Sequence, residues 1–227
     1  MEGVRFRRRG FASWFVVSAT FFLLLFHGQT AYASTIAALW HMNESSGSKM
    51  VDSSSNNNDG TLHNVTRVSP GFNGSGKAYQ FNGTSSYVSV PNSASLNPGS
   101  ANLTISFYLK TSSLPTKGDY DLVRKGVYTG QEYKIELLQS GQITCVFRGS
   151  TNHRNATGGS GLANGSWHHI QCIKTSSQVQ LVIDGKVIAT TTGTVGSISN
   201  SYAVYIGAHP DNDHYKGLLD EMSVSTG

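Results

Sequence analysis

The sequence predicts an all-β protein, a two-sheet antiparallel β-sandwich of the jelly-roll type. Charged residues make up only 13% of the 227 residues and glycines number 25, which excludes coiled coils, helical bundles and charged disordered chains. Strand-like segments recur at intervals of about 8–12 residues and are separated by Gly, Asn, Ser and Asp. No segment carries a convincing helical stripe, so we expect short strands throughout the folded part of the chain.

Residues 1–33 have the pattern of a cleaved export signal, which leaves residues 34–227 as a single domain. Four arginines lie within residues 5–9, residues 11–26 are apolar, and Ala31-Tyr32-Ala33 is a small-x-small cleavage pattern. A membrane anchor is the alternative, but a spanning helix needs about 20 apolar residues. Because the pair Arg8-Arg9 resembles a twin-arginine signal, export by the twin-arginine pathway is an alternative to export by the Sec pathway. The sequence therefore predicts a soluble, secreted, extracytoplasmic product.

The net charge of the predicted mature chain excludes a general electrostatic attraction to polyanions. Residues 34–227 contain 13 Lys and Arg residues and 12 Asp and Glu residues, a net charge of +1. The chain as a whole has a formal charge of +4, and most of it comes from the first nine residues. We therefore expect no nucleic-acid partner, and no stable membrane insertion after the signal is cleaved.

Cys145 and Cys172 are the only cysteines. An even pair in an exported chain predicts one disulfide, and we expect it to join neighbouring antiparallel strands. It would close a loop of about 28 residues and contribute roughly 3 kcal/mol by the chain-entropy argument. A catalytic cysteine is the alternative, and only the proximity in sequence of His168 and His169 favours it.

Twelve strands are predicted from alternation and turn signals. In 103–110, Leu103, Ile105, Phe107 and Leu109 share one face, the pattern of an antiparallel strand with one buried side. Asp184-Gly185 is a strong hairpin signal between two such strands. The predicted strands are Ile36–Trp40, Ala78–Phe81, Tyr87–Val90, Leu103–Lys110, Asp121–Lys125, Glu132–Leu138, Gln142–Arg148, Trp167–Thr175, Gln178–Ile183, Lys186–Thr191, Ala203–Ile206 and Gly217–Val224.

A series of motifs runs in order from residue 38 to residue 224. They include Leu39-Trp40 with the turn after it, Asn58 to Leu62, the hairpin Gly76 to Val90, Val182 to Lys186, and Gly217 to Glu221. Together they resemble the bacterial type of laminin-G-like domain in the concanavalin A-like lectin/glucanase superfamily. The resemblance implies the sandwich fold, which hosts lectins, glycosidases, lyases and adhesion modules. Because the chain stops soon after the last motif, a short final strand is expected.

The sequence shows no recognised catalytic array, so we predict a protein that is not an enzyme. Glucanases of this fold carry Glu-x-Asp-x-x-Glu on one strand, and the mature chain lacks it. Glu132 and Glu136 would lie about 13 Å apart along a strand, too far for either glycosidase mechanism, and are interpreted as solvated surface groups. A polysaccharide lyase or hydrolase with an unrecognised site remains the less favoured alternative.

The resemblance also implies a structural Ca²⁺ site that ties the terminal strands together. The Asp220 carboxylate would bind the ion with backbone oxygens at Glu44 and Gly83, and Asn82 is adjacent where the family usually has Asp. Carboxylate and backbone oxygens are the ligands that Ca²⁺ accepts. Alternatively, Asp220 only accepts backbone N–H groups. The segment 211–213 is interpreted as a polar loop, with a second calcium or a sugar contact as its alternative.

Sugar recognition needs aromatic rings against the apolar face of the sugar and planar polar groups for its hydroxyls. The family arrangement favours Tyr108, Tyr133 and Arg148 on strands, with Trp167 in the core. Arg154, His214 and Tyr215 are expected in loops around a concave sheet. We therefore predict a secreted, non-catalytic, carbohydrate-binding (lectin-like) domain whose partner is a polysaccharide or glycan. An envelope or extracellular protein-interaction and adhesion module is the alternative.

Overall fold

The computed structural model describes residues 34–209 and 212–227. The predicted export signal at 1–33 lies outside the described residues. In the described part no helix is long and apolar enough to span a bilayer.

Sixteen strands and one 3-10 turn at Ala94–Leu96 make up the regular structure of the described residues. The strands are β1 (Thr35–Trp40), β2 (Lys49–Met50), β3 (Gly60–His63), β4 (Thr66–Val68), β5 (Ala78–Asn82), β6 (Tyr87–Val90), β7 (Leu103–Lys110), β8 (Asp119–Lys125), β9 (Glu132–Leu138), β10 (Ile143–Arg148), β11 (His153–Gly158), β12 (Trp167–Lys174), β13 (Gln178–Ile183), β14 (Lys186–Thr192), β15 (Val204–Ile206) and β16 (Lys216–Thr226).

Two antiparallel eight-stranded sheets confirm the predicted sandwich. Sheet A has the order β14-β13-β12-β7-β16-β5-β4, and β1 pairs with the second half of β16. Sheet B has the order β11-β10-β9-β8-β15-β6-β3-β2. Neighbours in both sheets are often distant in sequence, so residues far apart in the chain meet on one face.

The core lies between the two sheets and follows the alternation seen in the sequence. On β7 the buried side chains are Leu103, Ile105, Phe107 and Leu109, as predicted. The facing strands of sheet B supply Tyr133, Phe147 and other fully buried residues. The predicted hairpin between β13 and β14 turns at Asp184 and Gly185, which both have positive φ (50° and 75°) as a two-residue hairpin turn requires.

Cys145 and Cys172 form the predicted disulfide, with Cα atoms 5.6 Å apart. The expectation that it joins neighbouring strands is wrong, because Cys145 lies on β10 of sheet B and Cys172 on β12 of sheet A. Both cysteines are buried and face the core. The bond therefore connects the two sheets through the interior of the sandwich.

The unpredicted strands are β2, β3, β4 and β11, which are short or polar. Strand β11 has the sequence HRNATG, without apolar alternation, and it pairs with β10 along its whole length. The expectation of a short final strand is also wrong. Strand β16 has 11 residues, and it pairs with β5, β7 and β1.

Candidate functional site

Tyr133 and Tyr215, two of the predicted sugar-binding residues, are fully buried in the core. Tyr133 lies on the face of sheet B that is turned toward the core, and its hydroxyl donates to the Leu96 carbonyl oxygen at 3.3 Å. Tyr215 donates to the Lys110 and Leu218 carbonyl oxygens. Neither ring can contact a ligand, so these two assignments are wrong. Alternation alone does not say which face of a strand is covered, so it does not separate exposed tyrosines from buried ones.

Tyr108 lies on the face of sheet A turned away from the core, where other side chains cover it. The Phe72 ring stacks on it at 3.4 Å between centroids, and His169 stacks at 4.6 Å. Trp167 is half-buried and packs edge-on against Phe72, so the expectation of a core tryptophan is wrong. These rings form a closed aromatic cluster on the outer face of sheet A.

Arg154 and His214 lie at separate places. Arg154 is on β11 rather than in a loop, and its guanidinium approaches Gly193 next to β14. His214 is half-buried in the segment before β16. Of the six predicted residues, only Arg148 lies on the outer face of sheet B, so the structure does not bring the set together.

Around Arg148, the outer face of sheet B forms a cleft of about 290 Å³. Its rim carries Tyr128, whose exposed fraction of 70% is the largest among the exposed large apolar side chains of the described residues. The Arg148 guanidinium lies over the Tyr128 ring, 4.7 Å from its centroid. His153 is opposite Arg148 in the β10–β11 register. An accessible aromatic ring beside a planar cation gives a platform for a ring-shaped polar ligand.

Buried carboxylates beneath the cleft hold its cationic groups in place. Glu132 is fully buried, and its Oε1 accepts from Arg148 Nε at 3.4 Å. Its other oxygen lies 3.7 Å from Arg124 Nη2. Glu136 is also buried and pairs with Lys134; burial raises the pKa of Glu136. The interpretation of Glu132 and Glu136 as solvated surface groups is therefore wrong. Cations let both be buried: Arg124 and Arg148 of the neighbouring strands for Glu132, and Lys134 of the same strand for Glu136.

An adjoining cavity of about 400 Å³ shares Arg148 and His153 with the cleft. Amide and hydroxyl side chains line it, including Gln131, Ser150 and Asn152. Burial and the nearby Arg148 charge lower the pKa of His153, so its ring is neutral at pH 7 and can both donate and accept. The two cavities together offer an aromatic platform followed by donors and acceptors, the combination typical of saccharide sites.

The structure separates Asn82 and Gly83, two of the predicted calcium ligands, from Asp220. Asn82 and Gly83 are at the β5–β6 turn, where Asn82 Oδ1 accepts the N–H groups of residues 84–86. Asn82 is opposite Lys216 in the sheet, and Asp220 lies four residues further along β16, about 13 Å away. Glu44 accepts from the Tyr79 hydroxyl and the Val51 N–H.

Asp220 is buried, and both of its oxygens accept backbone N–H groups. Oδ2 accepts from Phe72 at 2.7 Å, and Oδ1 from Glu221 at 2.9 Å. Burial raises the pKa of Asp220 to about 6, although both hydrogen bonds favour the charged form. The alternative considered from the sequence, an acceptor of backbone N–H groups, describes this geometry.

A different acidic cluster lies at the start of β8. One carboxylate oxygen from each of Asp119, Asp121 and Asp213 lies within 4.8 Å of the other two. The sequence predicted Asp213 only as part of a polar loop. The alternation of Asp119 and Asp121 on one strand was the available signal, but only the fold shows that Asp213 joins them.

Comparisons with known proteins identify the family of this chain and proteins of similar fold. A laminin-G family model described as "Concanavalin A-like lectin/glucanases superfamily" matches residues 82–227. The chain belongs to the concanavalin A-like lectin/glucanase superfamily. A search of curated proteins finds no significant match.

Three solved structures are similar to this chain in fold. The binding domain of Paraclostridial Mosquitocidal Protein 1 is 18% identical with a TM-score of 0.67, over 83% of this chain and 48% of that one. Domain 4 of AbnA, a GH43 extracellular arabinanase from Geobacillus stearothermophilus, was solved with arabinotriose. It is 18% identical with a TM-score of 0.63, over 86% of this chain and 93% of that one.

Mouse laminin alpha1 domains LG4-5 are 16% identical with a TM-score of 0.53, over 65% of this chain and 40% of that one. The chain thus spans about half the length of the toxin binding domain. At these identities the likeness shows the shared fold. One of these neighbours is described as a binding domain, and another was solved with arabinotriose.

Proposed function

We propose that this protein is an exported, non-catalytic glycan-binding module, and that the ligand lies along the cleft on the outer face of sheet B. The observation that carries the proposal is the pairing of exposed Tyr128 with Arg148 above a network of buried charges. Stacking of a sugar on an exposed ring contributes binding energy, and a guanidinium held by Glu132 presents donors in a fixed direction.

The cleft is preorganised, because buried ion pairs fix its polar groups before any ligand arrives. Arg148 is held by Glu132, and Lys134 by Glu136. A fixed site loses less side-chain entropy on binding than a mobile one. The amides and hydroxyls of the adjoining cavity enlarge the site beyond the cleft, which suits an oligosaccharide rather than a single sugar.

A non-catalytic role is supported by the positions of the carboxylates. Glu132 and Glu136 are four residues apart on β9 and both are engaged by cations. Neither is free to act as an acid or a nucleophile on a shared glycosidic bond. Export is proposed from the N-terminal pattern, and a disulfide through the core is compatible with an oxidising compartment.

The test is binding of the purified protein to a glycan array and to insoluble polysaccharides, followed by calorimetry on the best ligand. Tyr128→Ala should weaken binding about fivefold or more, since stacking contributes about 1 kcal/mol or more. Val187→Ala changes an exposed side chain on β14 of the other sheet and is the matched control, with unchanged affinity expected.

Three outcomes would contradict the proposal. The first is equal binding by wild type and Tyr128→Ala, which would move the ligand away from this cleft. The second is stable capture of an extracellular protein with no glycan bound, the behaviour of an adhesion module. The third is release of unsaturated products from a polyuronate, because Tyr128 and His153 both line the cleft and a lyase uses these residue types.

A further inference from the structure

The acidic cluster at the start of β8 is held together by two separate features of the fold. Asp119 and Asp121 are two residues apart on a strand and so point to the same face. The Asp121 N–H donates to the Asp213 carbonyl oxygen at 2.9 Å, which fixes the segment before β16 against β8. Three carboxylates are thus held close together by backbone pairing.

Two oxygens of this cluster are buried and have no hydrogen-bond donor among the residues that the structure describes. Asp121 is fully buried; its Oδ2 accepts from Arg124 at 3.1 Å, but its Oδ1 has no partner. Oδ1 of Asp119 is likewise buried without a partner. Buried charged acceptors are ordinarily satisfied, and an unpaired one is costly. These two unpaired oxygens are an observation independent of the clustering. Together with the clustering, they favour a bound cation at this position.

The charges around the cluster do not balance. The carboxylates Glu136 and Asp213 lie near Asp119, and so do the cations Lys134 and Arg124. Both cations are already in ion pairs, Lys134 with Glu136 and Arg124 with Asp121. Burial, together with the neighbouring carboxylates, raises the pKa of Asp119 to about 6. Burial likewise raises the pKa of Asp121 to about 6, in spite of Arg124.

The spacing suits a hard divalent cation. Ca²⁺ binds oxygens at about 2.3–2.6 Å, so two ligands of one ion lie at most about 5 Å apart, and the three carboxylates meet that limit at 4.8 Å. An adjoining cavity of about 400 Å³ is lined by Asp119 and Asp213. It leaves room for the water ligands that complete a coordination shell of six to eight oxygens.

We propose that Asp119, Asp121 and Asp213 bind one divalent cation, with Ca²⁺ the expected ion. This set shares no residue with the set around Asp220 that the family resemblance implies. The ion would join the start of β8 to the segment before β16. The site is distinct from the Tyr128–Arg148 platform, so the failure of one proposal leaves the other standing.

The experiment uses the metal alone, without a glycan. Calorimetric titration of the purified, chelator-treated protein with CaCl₂ should show one ion per chain, with weaker binding of MgCl₂. At calcium about 100-fold above the dissociation constant, the melting temperature should rise by about 5 °C or more. Asp119→Asn and Asp121→Asn should each lower calcium affinity at least tenfold and reduce this rise.

Two variants serve as controls. Asp184→Asn alters an exposed carboxylate on the β13–β14 turn, and Asp220→Asn alters the site implied by the family; both should keep the calcium response of the wild type. Identical melting curves in calcium and in chelator, with no heat of titration, would overturn the proposal. So would a response that is lost in Asp220→Asn and kept in Asp119→Asn and Asp121→Asn.

Discussion

Strand β8 carries a buried charged side chain at each end, Asp121 near its start and Lys125 at its end, and the two charges have different surroundings. At its end, the buried Lys125 ammonium donates to Asn92 Oδ1, Asn200 O and Asn200 Oδ1 at 2.8–2.9 Å. At its start, three carboxylates converge and two of their oxygens have no donor within the described part of the chain. One end places a lysine ammonium among oxygen acceptors, whereas the other brings together the oxygens of three carboxylates.

The difference teaches where an added ion can matter. The Lys125 ammonium is part of the chain and donates to the surrounding oxygens without any added ion. Burial lowers the pKa of Lys125 to about 8. The acidic end depends on Arg124, which also lies near Glu132. An exogenous cation therefore has a place at the start of β8 and none at its end.

Removing the disulfide should have the largest effect and should leave the comparison intact. The double variant Cys145→Ala, Cys172→Ala loses the link between the sheets, and we expect its unfolding free energy to fall by about 3 kcal/mol. Urea unfolding measures this loss in calcium and in chelator. The calcium-induced difference should match that of the wild type, and its disappearance would mean that the disulfide, rather than β8, sets the geometry of the acidic site.

Lys125→Met should lower the unfolding free energy by about 2–3 kcal/mol, since it removes a buried ammonium group that donates to three oxygens of Asn92 and Asn200. Lys186→Met, on exposed strand β14, is the matched control and should change stability by less than about 0.5 kcal/mol. Urea titration at pH 7 compares them. Equal stability of the two variants would show that the surrounding oxygens do not depend on the ammonium group.

The Lys125 end should also respond to alkaline pH. The pKa of Lys125 is about 8 in the folded protein against 10.5 for an ordinary lysine, so between these values the unfolded chain binds more protons. Stability therefore rises with pH in this window, by about 1–2 kcal/mol from pH 8 to 9.5.

The unfolding free energy of Lys125→Met, measured over the same pH range, is subtracted from that of the wild type. The difference isolates the contribution of Lys125, because the other titrating groups contribute to both proteins. A difference profile that is flat from pH 8 to 9.5 would contradict a lowered pKa at Lys125.

The smallest expected effect has the opposite sign. In chelator at pH 7, Asp119→Asn should raise the unfolding free energy by about 1 kcal/mol, because it removes a charge that burial and neighbouring carboxylates disfavour. In saturating calcium the same change should lower stability, since a ligand is lost. Thermal melts of both proteins in both buffers measure the reversal. The same sign in both buffers would remove the contrast between the two ends of β8.

Much of the fold could be predicted from the sequence because alternation records burial directly. Strands β7, β9 and β13 have the predicted bounds, and the Asp184-Gly185 hairpin follows from local turn chemistry. Strand β11 could not be predicted in this way. Its polar residues are held by pairing with β10, an interaction between segments that no local pattern encodes.

The candidate sites were predicted less well for the same reason. Composition and motif order determined the sandwich, and the even cysteine count determined the disulfide. Only the tertiary structure decided that Tyr133 and Tyr215 lie inside, that Cys145 and Cys172 connect opposite sheets, and that Asp213 joins Asp119 and Asp121. A site is made by strands that are neighbours in space but distant in sequence. Its geometry therefore depends on sheet order, which alternation within one strand does not contain.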